Sequence, residues 1–368
     1  MLEIVPSGPY EKVPNIYIVG IGGAGNNAID RMVEFGNKNV KFVSINTDLQ
    51  VLAHSKADIT LQIGNKLTGG NGAGADPIIG QAAAEENKND IKDLLADADM
   101  VVLTCGLGGG TGTGAIPVIA GLCKEAGILT VAVVTLPFSF EGPTRVLTAA
   151  TGLESLKGNV DTLLVVPNDK LLELTSEDFE LDEAFLFADN VLKYTIEGVT
   201  NIIFNTGTIN IDFNDIRTTL KDKGMGHLGI GIATDSNHLI DAVKDAIVSP
   251  LLTTSINDAT NILLNTSGRL KMREVNEAIQ YIKDLVGPQC LIIWGTVTDK
   301  ETNPDNRAVV TLIATGLKDQ PQAKSAPTKT VKTAPPDLSP VIGSQPQRSS
   351  IELMEINVPD FLKNRKKK

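Results

Sequence analysis

Residues 108–114 read GGGTGTG, five glycines and two threonines in seven positions. They follow the apolar run MVVLTC, Met100–Cys105, and precede the helix-like stretch AIPVIAGLCKEAG. Glycines let backbone amides approach a ligand closely, and successive N–H groups form an anion-binding nest. A helix N-terminus adds a partial positive charge, and Thr111 and Thr113 add hydroxyl donors. Such a stretch can hold phosphate. It lacks the lysine of G-x-x-x-x-G-K-S/T, so it is not a P-loop. A second run, GIGGAGNN from Gly20 to Asn27, carries G-x-G-x-x-G at Gly20, Gly22 and Gly25 between a strand and a helix. Asp48 stands 23 residues beyond Gly25. This matches the dinucleotide-binding fingerprint, whose acid contacts a ribose. Alone it predicts an NAD-dependent oxidoreductase. Two phosphate loops at the C-terminal ends of strands in one sheet suit a nucleotide with three phosphates instead. A nucleotide-binding scaffold without turnover is a third reading.

These loops need a sheet to hold them. From Asn15 to about Leu174 apolar strands alternate with helical segments: NIYIVG, VKFVSIN, ADITLQI, MVVLTC, LTVAVVTL and DTLLVVPN are the strands. Near-continuous apolar runs mark strands covered on both faces, and the crossover-length connections predict a doubly wound, mostly parallel α/β sheet. DEAFLFADNVLKYTIEGVTNIIFN repeats its apolar residues at helical spacing and predicts one long helix over 182–205, with Asp182 as N-cap. A second α/β unit with a mixed sheet follows at 206–318. Its last two strands, QCLIIWGTVT and AVVTLIATG, are predicted antiparallel across the turn TNPDNR. The remaining boundaries are a flexible N-terminus at 1–13, a nucleotide domain at 14–181, a disordered proline-rich linker at 319–350 and a short apolar, basic-ended docking peptide at 351–368.

The net charge is −11, but the last 50 residues carry nine basic against five acidic side chains, which leaves the body at −15. That excludes a nucleic-acid-binding body, which needs clustered Lys and Arg. A phosphate ligand on this body requires local neutralisation by backbone amides and Mg²⁺. Cys105, Cys123 and Cys290 have no metal-ligand spacing and read as small apolar residues of a reducing compartment. His54, His227 and His238 are scattered, and the sequence shows no zinc constellation. The first residues lack the basic and apolar regions of a signal peptide, and no apolar run reaches membrane-spanning length, so the expected location is the cytoplasm.

GGGTGTG also fits the tubulin signature (Ser/Ala/Gly)-Gly-Gly-Thr-Gly-(Ser/Ala)-Gly at every position but Thr113, and a threonine there is what the bacterial branch shows. With GGAGNNAI, INTDLQ, GAGADP, PFSFEG followed by Arg145, PNDKLL, ADNVL, NIDFNDI and VPDFLKNR, the chain from about Asn15 to Leu317 resembles the FtsZ family, the bacterial tubulin homologues that build the cell-division ring. The resemblance implies a GTPase that binds GTP and GDP with Mg²⁺. It implies that Gly22, Gly23, Ala24, Gly25, Asn26 and Asn27 lie at the phosphates and base. Ala73, Gly74 and Ala75 would approach the γ-phosphate and Mg²⁺, and Gly108, Gly109, Gly110, Thr111, Gly112 and Thr113 would cradle the phosphates. Glu141 and Arg145 would hold the ribose and its neighbours. Asn168 and Asp189 would hydrogen-bond the nucleoside, with Phe185 stacked on the base. A carboxylate such as Asp189 accepts from guanine N1–H and its exocyclic amine, a donor pair that adenine lacks.

The resemblance places hydrolysis on Asn210, Asp212 and Asp215 of NIDFNDI, acting on the GTP of the next subunit of a head-to-tail homopolymer. It also implies that residues 351–368 dock on membrane-bound division adaptors at mid-cell. Their basic end, KNRKKK, would touch anionic lipid. The chain departs from the family pattern at Leu107, Leu136 and Thr208 and across 229–242, where a Glu and an Arg are missing. These departures bear on the second domain and the longitudinal contact more than on the phosphate loops.

Overall fold

Six apolar segments become strands: β1 (Ile16–Ile21), β2 (Val40–Asn46), β3 (Ile59–Gln62), β4 (Met100–Gly106), β5 (Leu129–Leu136) and β6 (Thr162–Pro167). All their pairings are parallel, in the order β3-β2-β1-β4-β5-β6. The computed structural model describes residues 13–33, 40–172, 180–204, 211–233, 239–248, 256–268, 270–297 and 308–317. Thr208, Asn210, the linker 319–350 and the peptide 351–368 lie outside the described residues.

Parallel neighbours need crossovers, and helices supply them. In chain order these are α1 (Gly22–Val33), α2 (Leu49–Ala53), α3 (Asn65–Thr68), α4 (Pro77–Glu86), α5 (Lys88–Leu95), α6 (Thr111–Glu125), α7 (Pro143–Lys157) and α8 (Asn168–Leu172). Alternate residues of β4 enter opposite cores. Val101, Leu103 and Cys105 pack with α4, α5, α6 and α7, whereas Met100 and Val102 pack with α1 and the long helix α9 (Leu181–Phe204). α9 has 24 residues, about 36 Å at 1.5 Å per residue. It starts one residue before the predicted helix, so Asp182 lies in its first turn with Glu183, where both favour the helix dipole. Burial raises the thiols of Cys105 and Cys123, the latter to about 12, and leaves Cys290 half-exposed.

The second half contains α10 (Phe213–Leu220), β7 (Gly224–Ile232), α11 (Leu239–Ile247), β8 (Asn261–Ser267), α12 (Met272–Val286), β9 (Leu291–Val297) and β10 (Val309–Thr315). The strand order is β7-β10-β8-β9. β10 is antiparallel to β7 and to β8, and β9 is parallel to β8. The last two strands therefore run in opposite senses, as expected, but they are not neighbours, because β8 lies between them. Burial explains the choice. Val310, Leu312, Ile313 and Ala314 of β10 are fully buried, whereas Leu291 of edge strand β9 is 47% exposed.

Only two residue pairs, Thr162 with Gly224 and Leu163 with Met225, join β6 to β7. Side chains reinforce this joint. The Asp161 carboxylate accepts from Thr130 N at 2.8 Å and Asp222 N at 3.2 Å. Its carbonyl accepts from Lys223 N and Gly224 N. The hydroxyls of Thr162 and Thr315 donate to the carbonyls of Leu220 and Thr219 at the end of α10. No described helix is long and apolar enough to cross a membrane.

Candidate functional site

The order of the parallel strands reverses around β1, whose neighbours are β2 and β4, and ligands of open α/β sheets bind in the crevice at such a switch point. Both glycine runs lie there. Sequence periodicity starts the two helices after the glycines, but α1 begins at Gly22 and α6 at Thr111, inside the runs. Tertiary contact overrides glycine's poor helix propensity: a Cβ on Gly22, at φ +73°, would stand 2.8 Å from Gly112 N. The cap of α6 is Gly110, which has no side chain to satisfy the first-turn N–H groups. The first-turn N–H groups of α6 have no partner within the helix, and their residues face a shared cleft.

That cleft has a volume of ≈ 230 Å³ and is lined by Gly22, Gly23 and Ala24 of α1 and by Gly109, Gly110, Thr111 and Gly112. Glu141, Arg145, Asn168, Phe185 and Asp189 complete the wall among the residues singled out by sequence. Ala73–Ala75 come against the cradle from behind. A Cβ on Gly110 would lie 2.8 Å from Asp76 N and 2.9 Å from the Ala73 Cβ. Gly74 and Ala75 are exposed and left-handed, at φ +59° and +62°, a region that non-glycine residues adopt rarely.

Other expected residues stand behind the surface. Asn26 is 1% exposed. It donates to the Gly20 carbonyl at 2.9 Å and accepts from Asn46 at 2.7 Å. Gly25 is buried against the Thr104 carbonyl, and Asn27 is exposed on α1. The Thr113 hydroxyl accepts from Gly108 N at 2.8 Å and closes the loop from within. The Thr111 hydroxyl bonds that of Thr47 at 2.7 Å. Asp48, the ribose acid of the dinucleotide fingerprint, is instead the N-cap of α2, accepting from Gln50 N at 2.8 Å.

The base end of the cleft is aromatic and acidic. Phe185 packs edge-on against Phe138, with centroids 5.5 Å apart, and Phe138 stacks on Phe140 at 4.9 Å. Asp169 anchors the loop that carries Phe138 and Phe140 by accepting from the Ser139 amide and hydroxyl. Glu141 accepts from Phe138 N at 2.9 Å and pairs with Arg145 at 2.8 Å. Asn168 is 6% exposed, and its Oδ1 has no hydrogen-bond partner. An empty buried acceptor costs about 1–3 kcal/mol, so this amide fits a ligand donor. Burial pushes the Asp189 carboxyl up to about 6, and the Arg31 guanidinium, 3.1 Å away, pulls it down. Arg31 escaped the sequence reading because a basic residue in the last turn of a helix looks like a complement to the helix dipole.

Asp212 and Asp215 are elsewhere. Both are exposed, and Asp212 caps α10 by accepting from Asp215 N at 2.8 Å. α10 rests on the opposite edge of the sheet, where Arg217 donates to the Gly127 carbonyl just before β5. The cleft residues Thr135 and Pro137 lie at the other end of β5. The eight residues of β5 span roughly 26 Å at 3.3 Å per residue, so the acids and the cleft of one chain do not meet.

Residues 15–176 match the Tubulin/FtsZ family, GTPase domain, and residues 224–318 match the FtsZ family, C-terminal domain. A solved FtsZ dimer from M. jannaschii, empty of nucleotide, is 44% identical with a TM-score of 0.77, over 82% of this chain and 88% of that one. A point mutant of the same M. jannaschii protein gives 43% identity and a TM-score of 0.78, over 83% of this chain and 91% of that one. CetZ2 of Haloferax volcanii, solved as a GTPγS-bound protofilament, shares the fold at 21% identity and a TM-score of 0.70, over 83% and 94% of the two chains. These matches and the paired glycine cradles agree: the chain belongs to the tubulin/FtsZ family and carries its GTPase domain, followed by the C-terminal domain of the FtsZ branch.

Proposed function

We propose that this chain binds and hydrolyses GTP and stacks head to tail into filaments of a cell-division ring, each GTP being hydrolysed with the acids of the next subunit. The observation that carries this reading is the separation just described. The phosphate cradle and the acidic helix α10 occupy opposite edges of one sheet, so a stacked neighbour brings the two together. Such a contact is heterologous and generates open filaments.

In the cleft, the amides of α1 and α6 and the Thr111 hydroxyl stabilise charge on the phosphates. Asn168 and Asp189 hold the nucleoside, and Phe185 covers the base. The Asp212 and Asp215 carboxylates of the neighbour, with Asn210, orient water for attack on the γ-phosphorus and take up its proton as the bond to the bridging oxygen breaks and GDP leaves. Among the described residues no three His, Cys, Asp or Glu side chains gather as a metal site. An Mg²⁺ carried by the triphosphate would neutralise phosphate charge that the acidic body does not. The 206–318 unit supplies the acids and the polymer contact. Residues 351–368 tether filaments to membrane-bound adaptors at mid-cell, with the basic end on anionic lipid.

GTP turnover and sedimentation are measured across protein concentration. Turnover rising more than linearly, together with pelletable polymer, supports the reading. Turnover strictly proportional to protein, with nothing pelleted, sinks it.

A further inference from the structure

We infer that Arg31 is a positioning residue that sets the base preference of the cleft, by fixing and keeping ionised the carboxylate of Asp189. This rests on the reading of the cleft as a guanine-nucleotide site. Arg31 is in the last turn of α1, and Asp189 is in the third turn of α9. The two helices pack together, and their side chains meet at 3.1 Å. Asp189 lines the cleft with its side chain only 13% exposed, while Arg31 does not line it. The guanidinium therefore acts through the carboxylate rather than on the base.

Two features single out this pair. The first is the unfavourable placement of Arg31 as a merely stabilising group. Its Nε is buried without a hydrogen-bond partner, an arrangement that costs stability. The second is the charge around Asp189. Asp30 of α1 turns away, accepting from the Ser55 hydroxyl and Lys56 N. Asp169 of α8 holds Ser139, and Lys193 of α9 pairs with Glu197 one turn on. Across the cleft, Glu141 and Arg145 neutralise each other. Among the described residues, Arg31 is thus the cation that opposes burial at this carboxylate. Its bond to Oδ2 uses one lone pair and leaves the rest of the carboxylate to accept from a purine that presents N1–H and a 2-amino group. A protonated Asp189 would present a donor to those donors, and the preference would vanish.

The test uses the full chain. Equilibrium binding of GTP, ITP and ATP is measured from pH 5.5 to 9 for the natural protein, Arg31→Met and Arg31→Lys. In Arg31→Met the pH midpoint of GTP binding should rise by at least one unit. GTP affinity at pH 7 should fall about twofold for a one-unit rise and about tenfold for a two-unit rise, and recover towards pH 9, and the GTP-to-ITP ratio at pH 7 should shrink. Arg31→Lys should restore the midpoint. An unshifted midpoint in Arg31→Met overturns the inference, and so does an equal, pH-independent loss for all three nucleotides, which would mark a packing defect. A natural protein that shows no preference for GTP over ATP overturns instead the guanine reading on which the inference rests.

Discussion

The two edges of the parallel sheet do their work with different parts of the chain. At the C-terminal ends of the strands the phosphate cradle is backbone: Gly22, Gly110 and Gly112 are so close to neighbouring loops that a Cβ at any of them would crowd another strand of chain. At the N-terminal ends the acids of α10 are exposed side chains, and among the described residues Asp212 serves as a helix cap. The cradle is therefore sensitive to shape and indifferent to side-chain charge. On the proposed mechanism the acid edge tolerates changes of shape and depends on charge.

The sharpest way to break this contrast is Asp212→Asn. Asparagine caps a helix as well as aspartate does, so folding and GTP binding should be unchanged. Losing the carboxylate should lower turnover by about 100-fold or more, the usual worth of a general base. A steady-state GTPase assay with a binding titration checks both halves. Next comes Gly110→Ala. Its methyl group collides with Asp76 N and Ala73, 2.8 and 2.9 Å away. At an overpacking cost of about 1–3 kcal/mol, GTP affinity should fall roughly 5- to 150-fold. Mixing these two variants, at a GTP concentration that fills the Asp212→Asn cradle but not the Gly110→Ala one, should restore part of the turnover, because acids from one then meet a cradle from the other. A mixture as inactive as its components would refute action between subunits.

A smaller effect comes from pH. The Asp189 carboxyl sits above its ordinary range, at about 6, so below that pH the empty cleft holds a proton on it. Guanine donors require the ionised form, and binding must then expel the proton. GTP affinity should be level above pH 6 and fall by about tenfold per unit below it, while ATP affinity shows no such slope; calorimetry at two pH values suffices. Asp161→Ala should have the least effect on function. It removes the acceptor of Thr130 N and Asp222 N, which should cost about 1–3 kcal/mol of stability in a denaturant titration and leave GTP binding intact.

Much of this was legible in the sequence. Near-continuous apolar runs and a period-3.6 pattern marked the six parallel strands and the long helix, because burial on both faces or one stripe leaves a compositional trace. The glycine runs were legible as tight strand-to-helix turns, because backbone packed this closely leaves no room for side chains. The residue-level geometry was less so. Asn26 and Thr113 belong to the right motifs, yet they turn inward to Gly20 and Gly108, since a motif does not say which way each side chain points. Asp48 fits the spacing of a ribose acid but caps α2. The ion pair of Arg31 with Asp189 joins residues far apart in the chain through helix packing, and no local pattern encodes it. β10 looked like half of a hairpin because adjacent strands in sequence usually pair, but its apolar residues were better buried between β7 and β8.

The joint at Thr162 and Leu163 gives the ten-stranded sheet two clocks. Two rungs join the strands across that boundary, and the core around α11 and α12 is built from second-half residues alone, while Leu228, Leu263 and Ile313 also pack with the first-half cluster. Amides of β8 and β10 can then open together and exchange for deuterium while those of β4 and β5 stay protected, as separate foldons do. Hydrogen bonds run without a break from β3 to β9, but an isotope label would divide the sheet where the rungs thin to two.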